Sequence, residues 1–229
     1  MKLVIFDCDG TLIDSQHNIT AAMAHAFESH GLTPPPTHEV LSVVGLSLTE
    51  AFAVLAPGQP LELRRSLAEH YRGAHAEGRL QRVEEPLYPG VRETIEALGT
   101  RGDVLLGIAT GKSRRGVARL LEREGWHGTF LTIQTADDHP SKPHPSMIMA
   151  ALAEAGVGAT DAVMVGDTSF DMTMARSAAV SALGVSWGYH HPDLLVRAGA
   201  HRVIDRGADL VSAIEQLLGE REAGEGHVR

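Results

Sequence analysis

Apolar residues in this chain follow two patterns: short unbroken runs, and longer stretches in which they recur every three or four positions. The runs fall at residues 3–6, 104–109, 130–133, 162–165 and 181–185, a length and character suited to strands covered on both faces. Residues 202–204 can add an edge strand. Between the runs, Val117, Leu120 and Leu121 mark one face of a helix, as do Met147, Ile148, Ala151 and Leu152, and these stretches end near Gly125 and Gly156, the usual residue just past a helix C-terminus. Strand and helix alternating in this way predict an α/β fold, a doubly wound parallel sheet of Rossmann-like form with helices on its faces.

The alternation is interrupted once. From Ser15 to about Glu85 there is no convincing strand, and four helices are expected instead. Ile19, Ala22, Met23, Ala26 and Phe27 form one helical stripe closed by Gly31; a short helix starts near Thr37 after three prolines; Ser47-x-x-Glu50 opens a third in the form of a capping box; residues 61–77 make a fourth. The chain is therefore expected to comprise a core of residues 1–14 and 85–218, an inserted helical module of residues 15–84, and a Gly-, Glu- and Arg-rich tail, 219–229, without order.

Composition narrows the partners. The 229 residues are 43% hydrophobic and 21% charged, with 29 acidic groups against 20 basic ones and a formal charge of −9. Such a balance argues against a nucleic-acid backbone or an anionic membrane surface as partner. Any anionic ligand must be captured locally, and ammonium groups are scarce: lysine occurs only at 2, 112 and 142. The lone Cys8 can form neither an internal disulfide nor a multi-thiolate metal site, which suits a reducing compartment. The apolar run before Asp7 is too short for a signal or spanning segment, so a cytoplasmic location is expected.

The candidate chemistry lies where strands end. Asp7-Cys8-Asp9-Gly10-Thr11 leaves the first run directly, and a period of two points both carboxylates to one side and Cys8 to the other. Cys8 is expected to be a small buried hydrophobe rather than a nucleophile. The second run ends at Thr110-Gly111-Lys112-Ser113, a hydroxyl and an unobstructed amide before a helix, which can bind an oxyanion but is also an ordinary cap. After the third run, Lys142-Pro143 opens a further helix, with Lys112 as the competing lysine. The fourth run delivers Gly166-Asp167-Thr168-Ser169-Phe170-Asp171, two carboxylates four positions apart; Asp167 could serve merely as a helix cap, but its strand should lie parallel to the one ending at Asp7, so the acids converge at the carboxyl edge of the sheet. Clustered carboxylates repel unless a cation joins them, and an all-oxygen site suits Mg²⁺. Thirteen histidines show no helical spacing that would make a transition-metal site, and no nucleotide-binding glycine loop occurs.

Taken in order, Asp7-Cys8-Asp9-Gly10-Thr11, Thr110-Gly111, Lys142-Pro143 and Gly166-Asp167 with Asp171 resemble the motifs of the haloacid dehalogenase superfamily. The helical insert is similar to the four-helix cap of its phosphoglycolate phosphatase-like branch, as are the stretches at 175–178 and 184–189. Where that branch commonly has Ala-Gly, this chain has Ala178-Ala179. The resemblance implies that Asp7 attacks a phosphoryl group, that Asp9 protonates the leaving oxygen and then activates water, that Thr110, Gly111 and Lys142 bind the phosphoryl oxygens, and that Mg²⁺ is held by Asp7, the Asp9 backbone carbonyl and Asp167, supported by Asp171. Asp9, the second acid, argues against halide displacement. The implied activity is Mg²⁺-dependent hydrolysis of a small phosphorylated metabolite, phosphoglycolate-like, beneath a mobile lid.

Rivals within the superfamily are an inorganic pyrophosphatase and a sugar-phosphate mutase like β-phosphoglucomutase. Such mutases tend to carry a basic residue in the cap loop where this chain has Leu48, and Glu-Asp where it has Gly166-Asp167. A phosphoacceptor signalling module is a more distant alternative, being about half this length and lacking the insert.

Overall fold

The computed structural model describes residues 1–74 and 83–225. In chain order its elements are β1 (Lys2–Phe6), α1 (Gln16–Glu28), α2 (Thr37–Ser42), α3 (Leu48–Leu55), α4 (Leu61–Gly73), α5 (Val91–Gly99), β2 (Val104–Thr110), α6 (Arg114–Glu124), β3 (Thr132–Thr135), α7 (Ser146–Ala155), β4 (Ala162–Gly166), α8 (Ser169–Ser177), β5 (Ser181–Val185), α9 (Pro192–Arg197), β6 (Arg202–Ile204) and α10 (Leu210–Glu225). The six strands form one sheet in the order β3-β2-β1-β4-β5-β6, parallel throughout. The expected doubly wound α/β core is therefore present, with an edge strand at β6.

Each face of the sheet buries its own core. Val4, Phe6, Ile108, Val163 and Val165 pack with α5, α6 and α10 on one side. Leu3, Ile5, Met164 and Ala182 pack with α7 and α8 on the other. The alternation of side chains along each buried strand divides them between the two cores. Gly125 and Gly156 end α6 and α7 in the left-handed conformation, at φ 72 and 64.

Two local expectations need correction. β3 begins at Thr132, two residues later than its apolar run suggests, because Phe130 is buried against Trp126 before the strand starts. Helix α10 continues to Glu225, across most of the tail expected to lack order; Glu, Arg and Ala are good helix formers and here extend a helix already anchored by packing. Ala179 is left-handed, at φ 57, so the alanine occupies the conformation glycine would supply. The expected end of the fourth helix at Glu77 lies outside the described residues.

Helices α1–α4 enclose a separate apolar core built on Ile19, Met23, Phe27, Phe52 and Leu67. The chain enters and leaves them side by side. Asp14 N–H donates to the Pro86 carbonyl at 2.9 Å, and Ile13 bridges Leu87 antiparallel.

Candidate active site

The strand order reverses around β1, and there the carboxyl ends of β1, β2 and β4 meet, the usual place for a ligand crevice in an open α/β sheet. Phe6 is level with Ile108 on β2 and with Val165 on β4, so the residues just beyond it come alongside Thr110 and Asp167. Asp7 is buried, as are Thr110, Lys142, Asp167 and Asp171. Cys8 faces away into the core, and burial pushes its thiol well above the usual range, which leaves no thiolate for nucleophilic chemistry.

Asp7, Asp167 and Asp171 present carboxylate oxygens that all lie within 4.8 Å of one another. Lys142 stands among them, its Nζ 2.6 Å from Asp171 Oδ1 and 3.0 Å from Asp7 Oδ2. Burial opposes its charge, but Asp171 and Asp7 together hold the ammonium above its ordinary pKa. Asp171 is further fixed as the third residue of α8: its Oδ2 accepts from the backbone N–H and hydroxyl of Thr168, and Thr168 caps the helix in return. The helix cap is thus Thr168, one residue beyond Asp167. That frees Asp167 to turn inward, where Thr11 Oγ1 donates at 2.7 Å and Tyr189 N–H at 2.9 Å.

Asp9 lies at the edge of this group. Its Oδ1 accepts from Ser15 Oγ at 2.6 Å and from Lys112 Nζ at 2.7 Å, and Ser15 in turn contacts the Tyr189 hydroxyl at 3.1 Å. Lys112 also comes within 4.0 Å of Glu85, which receives Asn18 Nδ2 at 2.8 Å. Lys142 and Lys112, the two competing lysines, are therefore both in the site and serve different acids. At the end of β2, the Gly45 carbonyl from the helical insert sits over Gly111 so closely that a Cβ there would be 2.6 Å away. The insert therefore contacts the turn expected to bind oxyanions, and Ser47 N–H adds a 2.8 Å hydrogen bond to Ser141 Oγ.

Sequence reasoning missed Ser15, Tyr189, Thr11, Asn18, Glu85 and the Asp9 contact of Lys112. Lys112 carried a signal in the scarcity of lysine, and Thr11 and Tyr189 lie within stretches that carry the family resemblance; Ser15, Asn18 and Glu85 are common polar residues brought in by folding. The histidines take other roles: His139 spans Ser146 and Gln134, and His190 spans Ser169 and Ser42.

A divalent cation fits the carboxylate cluster. Three buried acids against the one ammonium of Lys142 leave two net negative charges in a low-dielectric place. Burial raises Asp7 to about 6, opposed chiefly by Lys142, and raises Asp167 well above the ordinary carboxylate range, with Asp171 and Asp7 adding to the effect. Asp7 Oδ2 is buried with no well-directed hydrogen bond despite the nearby ammonium, and buried acceptors are rarely left so. A hard, all-oxygen donor set matches Mg²⁺ rather than a softer metal.

Comparison with known proteins identifies relatives of this chain. Residues 4–185 match the family model described as haloacid dehalogenase-like hydrolase. The "Probable phosphatase IndB" of Dickeya dadantii is 34% identical over 220 residues, covering 94% of each chain. A phosphoglycolate phosphatase of Agrobacterium fabrum is 32% identical, over 94% of this chain and 93% of its own. A hydrolase from Pseudomonas syringae has a solved structure that superposes with a TM-score of 0.82 at 28% identity, over 94% of this chain and 99% of that one. The chain belongs to the haloacid dehalogenase-like hydrolase family, in its phosphoglycolate phosphatase-like branch.

Proposed function

We propose that this phosphoric monoester hydrolase cleaves a small phosphorylated metabolite through an aspartyl-phosphate at Asp7, with Mg²⁺ as cofactor and phosphoglycolate as a candidate substrate. The observation carrying the reading is the buried Asp7 carboxylate, whose Oδ2 lacks a well-directed hydrogen bond beside Lys142 and two further acids, with Asp9 at the mouth. An Asp7 oxygen forms a bond to phosphorus while the ester P–O bond breaks, and the departing alkoxide takes its proton from Asp9. In the second step Asp9 accepts a proton from water, the water oxygen bonds to phosphorus, and the bond to Asp7 breaks to release inorganic phosphate. One difficult displacement becomes two easier ones.

Thr110, the Gly111 amide and Lys142 hold the phosphoryl oxygens. Mg²⁺, bound by Asp7, the Asp9 backbone carbonyl and Asp167 with Asp171 alongside, would offset the charge of phosphate and nucleophile. Residues 15–84 act as a cap on the core of residues 1–14 and 85–218, with its two connections near Asp14 and Glu85, and exclude bulk water from the intermediate.

Two features favour hydrolysis over sugar-phosphate transfer. Leu48 lines the cap side of the cavity beside Asp9 and itself offers no charge to a second phosphate. A Cβ on Gly166 would lie 2.5 Å from Asp171 Cγ, so a glutamate at that position would dislodge Asp171 from Lys142. No helix among the described residues is long and apolar enough to cross a membrane, in keeping with a small metabolite met in solution.

The test is phosphate release from a panel of small phosphate esters, with products followed by phosphorus NMR. Turnover should vanish with a chelator, return with Mg²⁺, and be lost in Asp7→Asn. Undiminished turnover in Asp7→Asn would refute the mechanism, and isomerisation of β-glucose 1-phosphate outrunning phosphate release would favour a mutase.

A further inference from the structure

Asp9 is held through one of its two carboxylate oxygens. Among the described residues two donors reach it, Ser15 Oγ at 2.6 Å and Lys112 Nζ at 2.7 Å, and both fall on Oδ1. The Tyr189 hydroxyl accepts Ser15 N–H and lies 3.1 Å from Ser15 Oγ; it donates there, because the serine proton is committed to Asp9. An ammonium can only donate, so a proton on Oδ1 would stand against Lys112. The proton that Asp9 exchanges during turnover therefore belongs on Oδ2.

Lys112 is itself built into place. Its backbone N–H donates to Thr110 Oγ1 at 3.1 Å, within the turn proposed to hold the phosphoryl oxygens. Its methylene stem lies across the first turn of α6, where a Cβ on Gly116 would come 2.8 Å from Lys112 Cγ and 3.2 Å from Cε. Glycine is a poor helix former, but any side chain at this position would push the stem off its course to Asp9. Beyond Asp9, the ammonium lies 4.0 Å from Glu85. Asn18 of the insert fixes that segment by donating to Glu85 Oε1 and the Val83 carbonyl and accepting Val83 N–H. When Asp9 is neutral, Glu85 remains as the carboxylate beside the ammonium, so Lys112 keeps its place in both steps.

We infer that Lys112 is a positioning residue for proton transfer: it fixes Asp9 through Oδ1 and leaves Oδ2 to serve the leaving oxygen. As the ester P–O bond breaks, the Oδ2 proton passes to the alkoxide and Asp9 is left as a carboxylate; the attacking water returns a proton to Oδ2. The inference rests on the hydrolase reading, with Asp9 as the acid, and adds a residue to it.

The experiment compares kcat/KM, at saturating Mg²⁺, for benzyl phosphate and p-nitrophenyl phosphate, two esters of similar size. Benzyl oxide is a strong base that needs a proton as it leaves, whereas p-nitrophenolate departs without one. Because kcat/KM reports formation of the aspartyl-phosphate and not its hydrolysis, the comparison isolates the acid step. Lys112→Met should lower the benzyl value by about a hundredfold and the p-nitrophenyl value by less than about tenfold, general acid catalysis being worth about 10²–10⁴. In an Asp9→Asn background the same substitution should leave the ratio of the two esters unchanged, since it acts through Asp9. Equal losses for both esters, or no loss, in folded Lys112→Met would overturn the inference and leave the hydrolase reading intact. Asp9→Asn with the parent's ratio would overturn Asp9 as the acid, and this inference with it. If Lys112→Met does not fold, Gly116→Ala carries the test: it keeps the ammonium, displaces its stem and should lower the benzyl-to-p-nitrophenyl ratio severalfold, and the parent's ratio in that variant would overturn the positioning role.

Discussion

Replacing Lys142 by methionine keeps most of the side chain's volume and deletes its charge. The ammonium is wholly buried, 2.6 Å from Asp171 and 3.0 Å from Asp7, and without it three carboxylates remain within 4.8 Å of one another. Removing one partner of a buried ion pair costs about 3–5 kcal/mol, because the other charge is left unpaired, a large part of the roughly 5–15 kcal/mol that holds a domain together. Asp7 is already raised to about 6 by burial, and Lys142 is the strongest opposing influence. Its loss drives Asp7 higher, so less of the nucleophile is anionic at neutral pH. The charge facing the phosphoryl oxygens is lost as well, an effect worth about 10²–10³-fold in kcat for a single preorganised group.

The assay pairs urea denaturation at pH 5.5 and 7.5 with pH profiles of kcat. Carboxyl groups whose folded pKa is raised contribute stability that is present below their unfolded pKa and lost as pH rises through the folded one. The variant should therefore lose more stability at pH 7.5 than at pH 5.5, recover part of it with Mg²⁺, and show a kcat profile moved to alkaline pH. A variant with the parent's midpoint at both pH values and an unmoved profile would refute the electrostatic account of Lys142.

His190 joins the cap to the core: its Nδ1 accepts Ser169 N–H at 3.1 Å, which places the proton on Nε2, 3.1 Å from the Ser42 carbonyl. Burial lowers its pKa below 6.5, against smaller opposing influences from Ser42 and Asp171, so its contribution is present above pH 6.5 and lost as pH falls through the lowered value; His190→Gln, which can keep both hydrogen bonds, should flatten the acid limb of a thermal-stability profile, and an unchanged limb would count against this contact. Ala179 is left-handed at φ 57, a conformation costing about 1–2 kcal/mol outside glycine. Ala179→Gly should raise the free energy of unfolding by up to about 1 kcal/mol once the entropy of glycine is offset, and a lowered value would show that the alanine methyl contributes more than the strain costs.

The strands and crossover helices of the core were legible in the sequence because a buried parallel sheet demands unbroken apolar runs, and an amphipathic helix demands a stripe. Asp7, Asp9, Thr110, Gly111, Lys142, Asp167 and Asp171 were also legible as candidates, since each follows the end of a strand or opens the next helix, and in a doubly wound sheet those ends share one edge. Local pattern misjudged the start of β3, where Phe130 packs in the core without pairing, and the tail, where α10 continues from an anchored helix. Only the tertiary structure decided which lysine serves which acid: Lys142 and Lys112 look alike in sequence, and their division between Asp7 with Asp171 and Asp9 depends on where two loops converge in space. The same holds for Ser15, Tyr189, Asn18 and Glu85. Apart from Ser15 and Asp9, six residues apart, these residues are far from their partners along the chain, their types are common, and no periodicity marks them; they meet because the cap folds down on the carboxyl edge of the sheet and encloses a cavity that no single segment encodes.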